Sequence, residues 1–212
     1  MKPKDVVEII KILKKTYPDA KCSLDFSTPF TLLVAVMLSA QCTDERVNLT
    51  TPSIFEKYST PQDFATMDIK ILEELIHPCG FYKTKAKHIQ ETARIIVEKF
   101  DGKVPQNMKD LMSLPGVGRK TANVVMLEAF SDPQGIAVDT HCMRISNRMG
   151  LSREIVPEKI EKDLLKIIPP EFYKDVNHLF IWHGRNICTA RSPKCDECPI
   201  ASYCQKRFAK EL

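Results

Sequence analysis

Helical periodicity runs through almost the whole of this chain and leaves little room for any other secondary structure. Val6, Ile9, Ile10 and Leu13 recur at i, i+3, i+4 and i+7, while Ile89, Ala93, Ile96 and Val97 form a second stripe and Ile160, Leu164, Ile167 and Ile168 a third. Helix-start chemistry agrees: Asp68 stands as an N-cap ahead of Leu72, Leu75 and Ile76, and Pro157 suits the first turn of the helix that follows it. Gly80, Gly102 and Gly150 follow or interrupt amphipathic segments, and Pro61, Pro105, Pro115, Pro133 and the Pro169-Pro170 pair punctuate the rest. No apolar/polar alternation is long enough for a sheet, although residues 136–138 read as a short extended entry to the next helix. The expectation is an all-α protein of about ten helices. With no repeat or low-complexity linker, the loop Ser131-Asp132-Pro133-Gln134-Gly135 is the best place for a domain boundary.

A chain of 212 residues with 43% hydrophobic content can bury one large core or two small ones, which excludes disordered and collagen-like readings. The longest apolar run, residues 30–38, is broken by Thr31 and falls far short of the roughly 20 residues of a membrane span. Residues 1–15 carry a charge every few positions and lack the apolar stretch of a signal peptide, so a cytoplasmic protein with no membrane partner is expected. A net charge of +4 tolerates a polyanionic partner without demanding one.

Eight cysteines in a secreted chain would suggest disulfides, yet four of them crowd into the last 25 residues and no secretion signal accompanies them. Cys188, Cys195, Cys198 and Cys204 are spaced C-x6-C-x2-C-x5-C, close enough for one compact loop to wrap a metal centre. Four thiolates suit tetrahedral zinc or a [4Fe-4S] cluster equally, so the spacing leaves that choice open. Cys22, Cys42, Cys79 and Cys142 are isolated and read as small buried hydrophobes without a role.

Around Leu114-Pro115-Gly116-Val117-Gly118-Arg119-Lys120-Thr121-Ala122 the sequence reads as a helix, a tight glycine turn and a second helix beginning near Gly118. Glycine lets the backbone turn sharply and lets a phosphate approach its N–H groups. A helix start carries the positive end of the dipole and is an anion site, so this hairpin can hold a DNA phosphate without regard to base sequence. The alternative is a plain packing corner. Lys120 is then the third residue of the second helix, where the dipole favours the free amine that attack on carbon requires. A lysine beside a phosphate site is more often a phosphate contact, so a second residue is needed. Asp139, in Ile136-Ala137-Val138-Asp139-Thr140-His141, follows three apolar positions and opens the next helix; it is an N-cap by default, and capping does not preclude catalysis.

Taken together these pieces resemble the endonuclease III family of DNA glycosylases. The likeness runs over nearly the whole chain through Leu38-Ser39-Ala40-Gln41-Cys42-Thr43-Asp44, the hairpin with Asn123, Val138-Asp139-Thr140-His141, His183-Gly184-Arg185 and the four-cysteine loop. The resemblance implies a [4Fe-4S] cluster rather than zinc. It implies a six-helix barrel over residues 22–131 that holds the hairpin, and a discontinuous cluster domain of residues 1–21 and 132–212, the two flanking a DNA-binding cleft. It also implies a monomer acting on double-stranded DNA with damaged bases or abasic sites.

By the same resemblance Lys120 attacks C1′ of a damaged, oxidised pyrimidine nucleoside, expels the base and forms a Schiff base whose β-elimination breaks the strand 3′ to the site. Asp139 assists deprotonation of the lysine and stabilises oxocarbenium character. Gln41 fills the emptied place in the duplex, and Gly116, Val117, Gly118 and Arg119 hold the backbone. Arg191 and Lys194, between Cys188 and Cys195, present cations to DNA. Two positions depart from the family pattern: Phe81 stands where leucine often wedges between bases, and Cys42 replaces a small residue beside Gln41. A related mismatch glycosylase normally lacks the lysine and carries a further C-terminal domain, and a non-enzymatic DNA-binding module would not need both Lys120 and Asp139.

Overall fold

The computed structural model describes residues 1–207, and among them every regular element is helical. The first helix, α1 (Pro3–Thr16), buries Val6, Ile9, Ile10 and Leu13, the stripe its sequence sets out. Eight helices follow: α2 (Pro29–Leu38), α3 (Asp44–Thr50), α4 (Pro52–Phe55), α5 (Pro61–Thr66), α6 (Ile69–Leu75), α7 (Tyr82–Lys99), α8 (Met108–Met112) and α9 (Arg119–Phe130). Then come α10 (Thr140–Met149), α11 (Pro157–Ile167) and α12 (Tyr173–Asn186). Residues 136–138 lead into α10 without joining a strand.

The chain divides into two compact units, one of Ser23–Asp132 and the other of Met1–Cys22 with Pro133–Leu212. In the first unit α2 is the centre. Phe30 through Leu38 are all buried, so this helix shows no polar face. Thr28 starts it with a capping box, its hydroxyl accepting the Thr31 N–H while Thr31 Oγ1 accepts the Thr28 N–H at 2.9 Å. Around α2 pack α7 and α9, and α5 lies on α7. Phe30 meets Phe64 edge-on, ring centroids 5.4 Å apart. On α7 the buried face carries Ile89, Ala93 and Ile96 as expected, with Lys85, Gln90 and Thr92 beside them.

The second unit is built on α1, α10, α11 and α12 around Ile9, Ile10, Leu13, Ile145, Leu164 and Phe180. Ile160, Leu164 and Ile168 are core residues, whereas Ile167 is only partly buried. Asp68 caps α6 by accepting the Lys70 N–H at 2.8 Å, and Pro157 opens the first turn of α11. Gly184 is where α12 passes close to α10: a Cβ there would stand 2.6 Å from His141 Nδ1 and 2.8 Å from Arg144 Nη2.

Candidate DNA-repair site and cluster loop

The hairpin closes with a turn in which Val117 N–H donates to the Leu114 carbonyl at 3.1 Å, Pro115 and Gly116 occupying its middle places. Gly116 has φ +75°, which agrees with the Pro-Gly order of a type II turn. A Cβ at Gly116 would lie 3.0 Å from His88 and 3.1 Å from Met37 Cε, so both conformation and space call for glycine. From α7, the Thr92 hydroxyl donates to the Pro115 carbonyl at 2.9 Å and ties the hairpin to the core. Val117 is buried and anchors the turn from below. Gly118 is exposed, is the N-cap of α9 and has nothing within 4 Å of where a Cβ would stand. Because α9 begins at Arg119, Lys120 is the second residue of the helix rather than the third, and it is exposed.

Gln41 and Phe81 lie on the same unit as the hairpin and share a pocket of ≈ 260 Å³ with Gly116, Thr84 and His88. Both have left-handed backbones, at φ 53° and 47°, a conformation that costs of order 1–3 kcal/mol for a side-chain-bearing residue. Phe81 is 68% exposed, against 38% for Phe26. Sequence reasoning missed the residue that holds both segments. Lys85, 8% exposed on α7, sends its Nζ to the Leu38 carbonyl and to the Cys79 carbonyl, both at 2.8 Å. The first is a carbonyl at the end of α2, three residues before Gln41; the second precedes Phe81 by two. Desolvation by burial pushes the Lys85 pKa below the ordinary lysine value. A lysine on the apolar face of α7 was the available signal.

In the other unit, Asp139 caps α10, its Oδ1 accepting the Cys142 N–H at 2.7 Å. The segment before it is fixed by buried Ile136, Ala137 and Val138 and by Asn177, whose Nδ2 donates to the Ala137 carbonyl at 2.7 Å. The Cys142 thiol behind the cap is fully buried, and burial pushes its pKa far up, which leaves it an inert hydrophobe.

All eight cysteines are free. Among the described residues no three His, Cys, Asp or Glu side chains close on one point as ligands of a single ion. Cys188, Cys195, Cys198 and Cys204 instead surround one cavity, whose wall includes Ile145, Met149, Ile187 and Ile200. N–H donors face the sulfurs: Arg148 Nη1 lies 3.5 Å from Cys188 Sγ and the Lys206 backbone N–H 3.3 Å from Cys204 Sγ. Soft ligands, apolar walls and N–H donors together fit an iron–sulfur cluster. The loop's shape depends on Arg148, whose guanidinium also donates to the Thr189 and Ala190 carbonyls, each at 2.7 Å, and on Lys194 N–H to Ile187 O at 2.9 Å. Arg191 and Lys194 stand exposed on it. His183, singled out in sequence only as part of a motif, is buried beside Cys198, and burial pushes its pKa down to about 4.

Residues 34–170 match the HhH-GPD superfamily of base excision DNA repair proteins, and residues 188–204 match the iron-sulfur binding domain of endonuclease III. Endonuclease III of Synechocystis sp. is 52% identical over 203 residues, covering 96% of this chain and 93% of that protein. Endonuclease III of Bacillus subtilis is 46% identical over 201 residues, covering 92% and 91%. A solved trapped covalent intermediate of an endonuclease III with DNA is 43% identical and superposes with a TM-score of 0.92 over 97% of both chains. No helix among the described residues is long and apolar enough to cross a membrane. The chain belongs to the endonuclease III family of helix-hairpin-helix base excision repair enzymes, DNA glycosylases and abasic-site lyases that carry a [4Fe-4S] cluster.

Proposed function

We propose that this chain excises oxidised pyrimidines from double-stranded DNA as a monomer in the cytoplasm, with Lys120 as nucleophile and Asp139 as its carboxylate partner. The observation that carries the reading is Lys120 itself: an exposed amine on the second residue of a helix that opens from a glycine turn, a geometry suited to an anion. Gly116, Val117, Gly118 and Arg119 hold a backbone phosphate at that turn, which sets the amine beside the sugar. The Lys120 nitrogen bonds to C1′ as the glycosidic C–N bond breaks. Asp139 takes up the amine proton and balances the positive charge that develops on the sugar. Ring opening leaves an imine, loss of a C2′ proton follows, and the 3′ C–O bond breaks with the phosphate as leaving group.

Removing a base from the stack costs a few kcal/mol, less at a damaged pair. Gln41 and Phe81 offset that cost by occupying the gap: both are exposed, both face one pocket, and Phe81 presents a rigid ring suited to wedge between bases. Four thiolates, Cys188, Cys195, Cys198 and Cys204, hold the [4Fe-4S] cluster, which fixes the loop that presents Arg191 and Lys194 to the DNA backbone. Borohydride reduction on abasic DNA tests the central assignment: the wild-type chain should be trapped covalently and Lys120→Gln should not. Equal trapping of the two proteins would remove Lys120 from the mechanism.

A further inference from the structure

One sulfur of the cluster loop is reached by a buried side chain from the body of the unit. His183, on α12 and 2% exposed, places Nε2 3.6 Å from Cys198 Sγ. Its other nitrogen, Nδ1, lies 3.1 Å from the hydroxyl of Tyr17, a residue just past the end of α1 and 166 positions away in sequence. The two rings are tilted against each other with centroids 6.0 Å apart, and the Trp182 ring also stands 6.3 Å from that of Tyr17. The hydroxyl and both imidazole nitrogens therefore form one continuous line that ends on sulfur.

Counting hydrogens gives the line a direction. A thiolate bound to iron has no proton to donate, so Nε2 must carry the hydrogen that faces Cys198. A neutral imidazole has one N–H, which leaves Nδ1 an acceptor, and the Tyr17 hydroxyl donates to it. A donor on Nδ1 also polarises the ring and strengthens the N–H on the far side.

We propose that Tyr17 and His183 act as a hydrogen-bond relay that tunes the iron–sulfur cluster: Tyr17 fixes His183 in the Nε2–H tautomer, and that N–H donates to the Cys198 thiolate. The relay rests on the reading of Cys198 as a cluster ligand. An N–H directed at a ligating sulfur favours the more negatively charged, reduced state, so its loss lowers the reduction potential. The relay takes no part in bond breaking on DNA; His183 and Tyr17 are positioning residues.

The test compares purified holoprotein with Tyr17→Phe, His183→Phe, His183→Gln and the Tyr17→Phe/His183→Phe double variant, each first assayed for iron and sulfide per chain. The readouts are the midpoint potential by voltammetry and the Fe–S stretching bands by resonance Raman. At full iron content His183→Phe should move the potential to more negative values and Tyr17→Phe should do so by less. Tyr17→Phe should add nothing in the His183→Phe background, and His183→Gln, whose amide can keep an N–H toward sulfur, should recover much of the wild-type value. Should His183→Phe fail to fold, Tyr17→Phe decides, because it removes a single oxygen from a half-buried ring. Unchanged potential and bands in the folded variants overturn the proposal, as does a Tyr17 effect that persists without His183. Full iron content with an unaltered spectrum in Cys198→Ser would instead overturn the ligand reading beneath it.

Discussion

The Oδ1 of Asp139 is held by the backbone N–H of Cys142 at 2.7 Å, so the proposed catalytic carboxylate is also the cap of α10. The two roles respond differently to substitution. Asparagine caps a helix about as well as aspartate, whereas alanine costs about 1 kcal/mol. Asp139→Asn should therefore keep its thermal stability and most of its DNA affinity while losing roughly 10²–10³ or more in single-turnover excision. Asp139→Ala should lose stability as well. If the asparagine variant excises at near the wild-type rate, the carboxylate is a cap and nothing more.

Gly116 and Gly118 separate folding from binding in the hairpin. Gly116→Ala meets both a φ of +75° and contacts of 3.0 to 3.1 Å with His88 and Met37, so it should cost about 1–3 kcal/mol of stability. Gly118 is open on the Cβ side, and alanine there trades a weaker cap against a stiffer unfolded chain, for a net change within about 1 kcal/mol. Its methyl group would nevertheless stand on the side from which the phosphate is proposed to approach. Gly118→Ala should weaken binding to duplex DNA at nearly unchanged melting temperature; equal affinity for the two proteins would place the phosphate elsewhere.

Much of this was legible in the chain. The stripes Val6-Ile9-Ile10-Leu13 and Ile89-Ala93-Ile96 are buried as their period requires, and Asp68, Pro157 and Asp139 cap or open helices by local chemistry alone. Where helices are short or wholly enclosed, period fails: α2 is buried on all sides and α4 spans only Pro52–Phe55, so neither shows a face. The hairpin turn was legible because its conformation depends on residues adjacent in sequence, Pro115 and Gly116 above all. The bond from Lys85 to Leu38 and the Tyr17–His183 pair were not, because they join residues 47 and 166 positions apart and only packing brings them together.

Lys85 joins the segments that present Gln41 and Phe81, and its removal should be felt in both. Lys85→Met keeps the stem but leaves the Leu38 and Cys79 carbonyls without this donor, at about 1–3 kcal/mol for each group that water cannot reach. Its pH dependence has a definite sign. The folded pKa lies below the ordinary 10.5, so between those values the unfolded chain binds more protons, and the stability of the wild type should rise with pH in that window. The methionine variant should lack that rise. An identical alkaline profile in both proteins would mean that Lys85 is hydrated as fully as a surface lysine.

Arg191 and Lys194 offer the cleanest electrostatic measurement. They are exposed on a loop whose path is set by Arg148 at the Thr189 and Ala190 carbonyls and by the Lys194 backbone at Ile187, so replacing their side chains disturbs neither tie. Each phosphate they neutralise releases condensed counterions and contributes roughly 0.9 to the slope of log K against log salt. Arg191→Ala/Lys194→Ala should bind all duplexes more weakly and flatten the slope by up to about two contacts' worth, whatever the base sequence. Single-turnover excision at saturating enzyme should stay close to wild type, because neither side chain is proposed to touch the sugar. Arg148→Ala releases the loop itself and should reproduce the loss of affinity with the two cations still in place. A salt slope unchanged in the double variant would show that the cluster loop meets no phosphate.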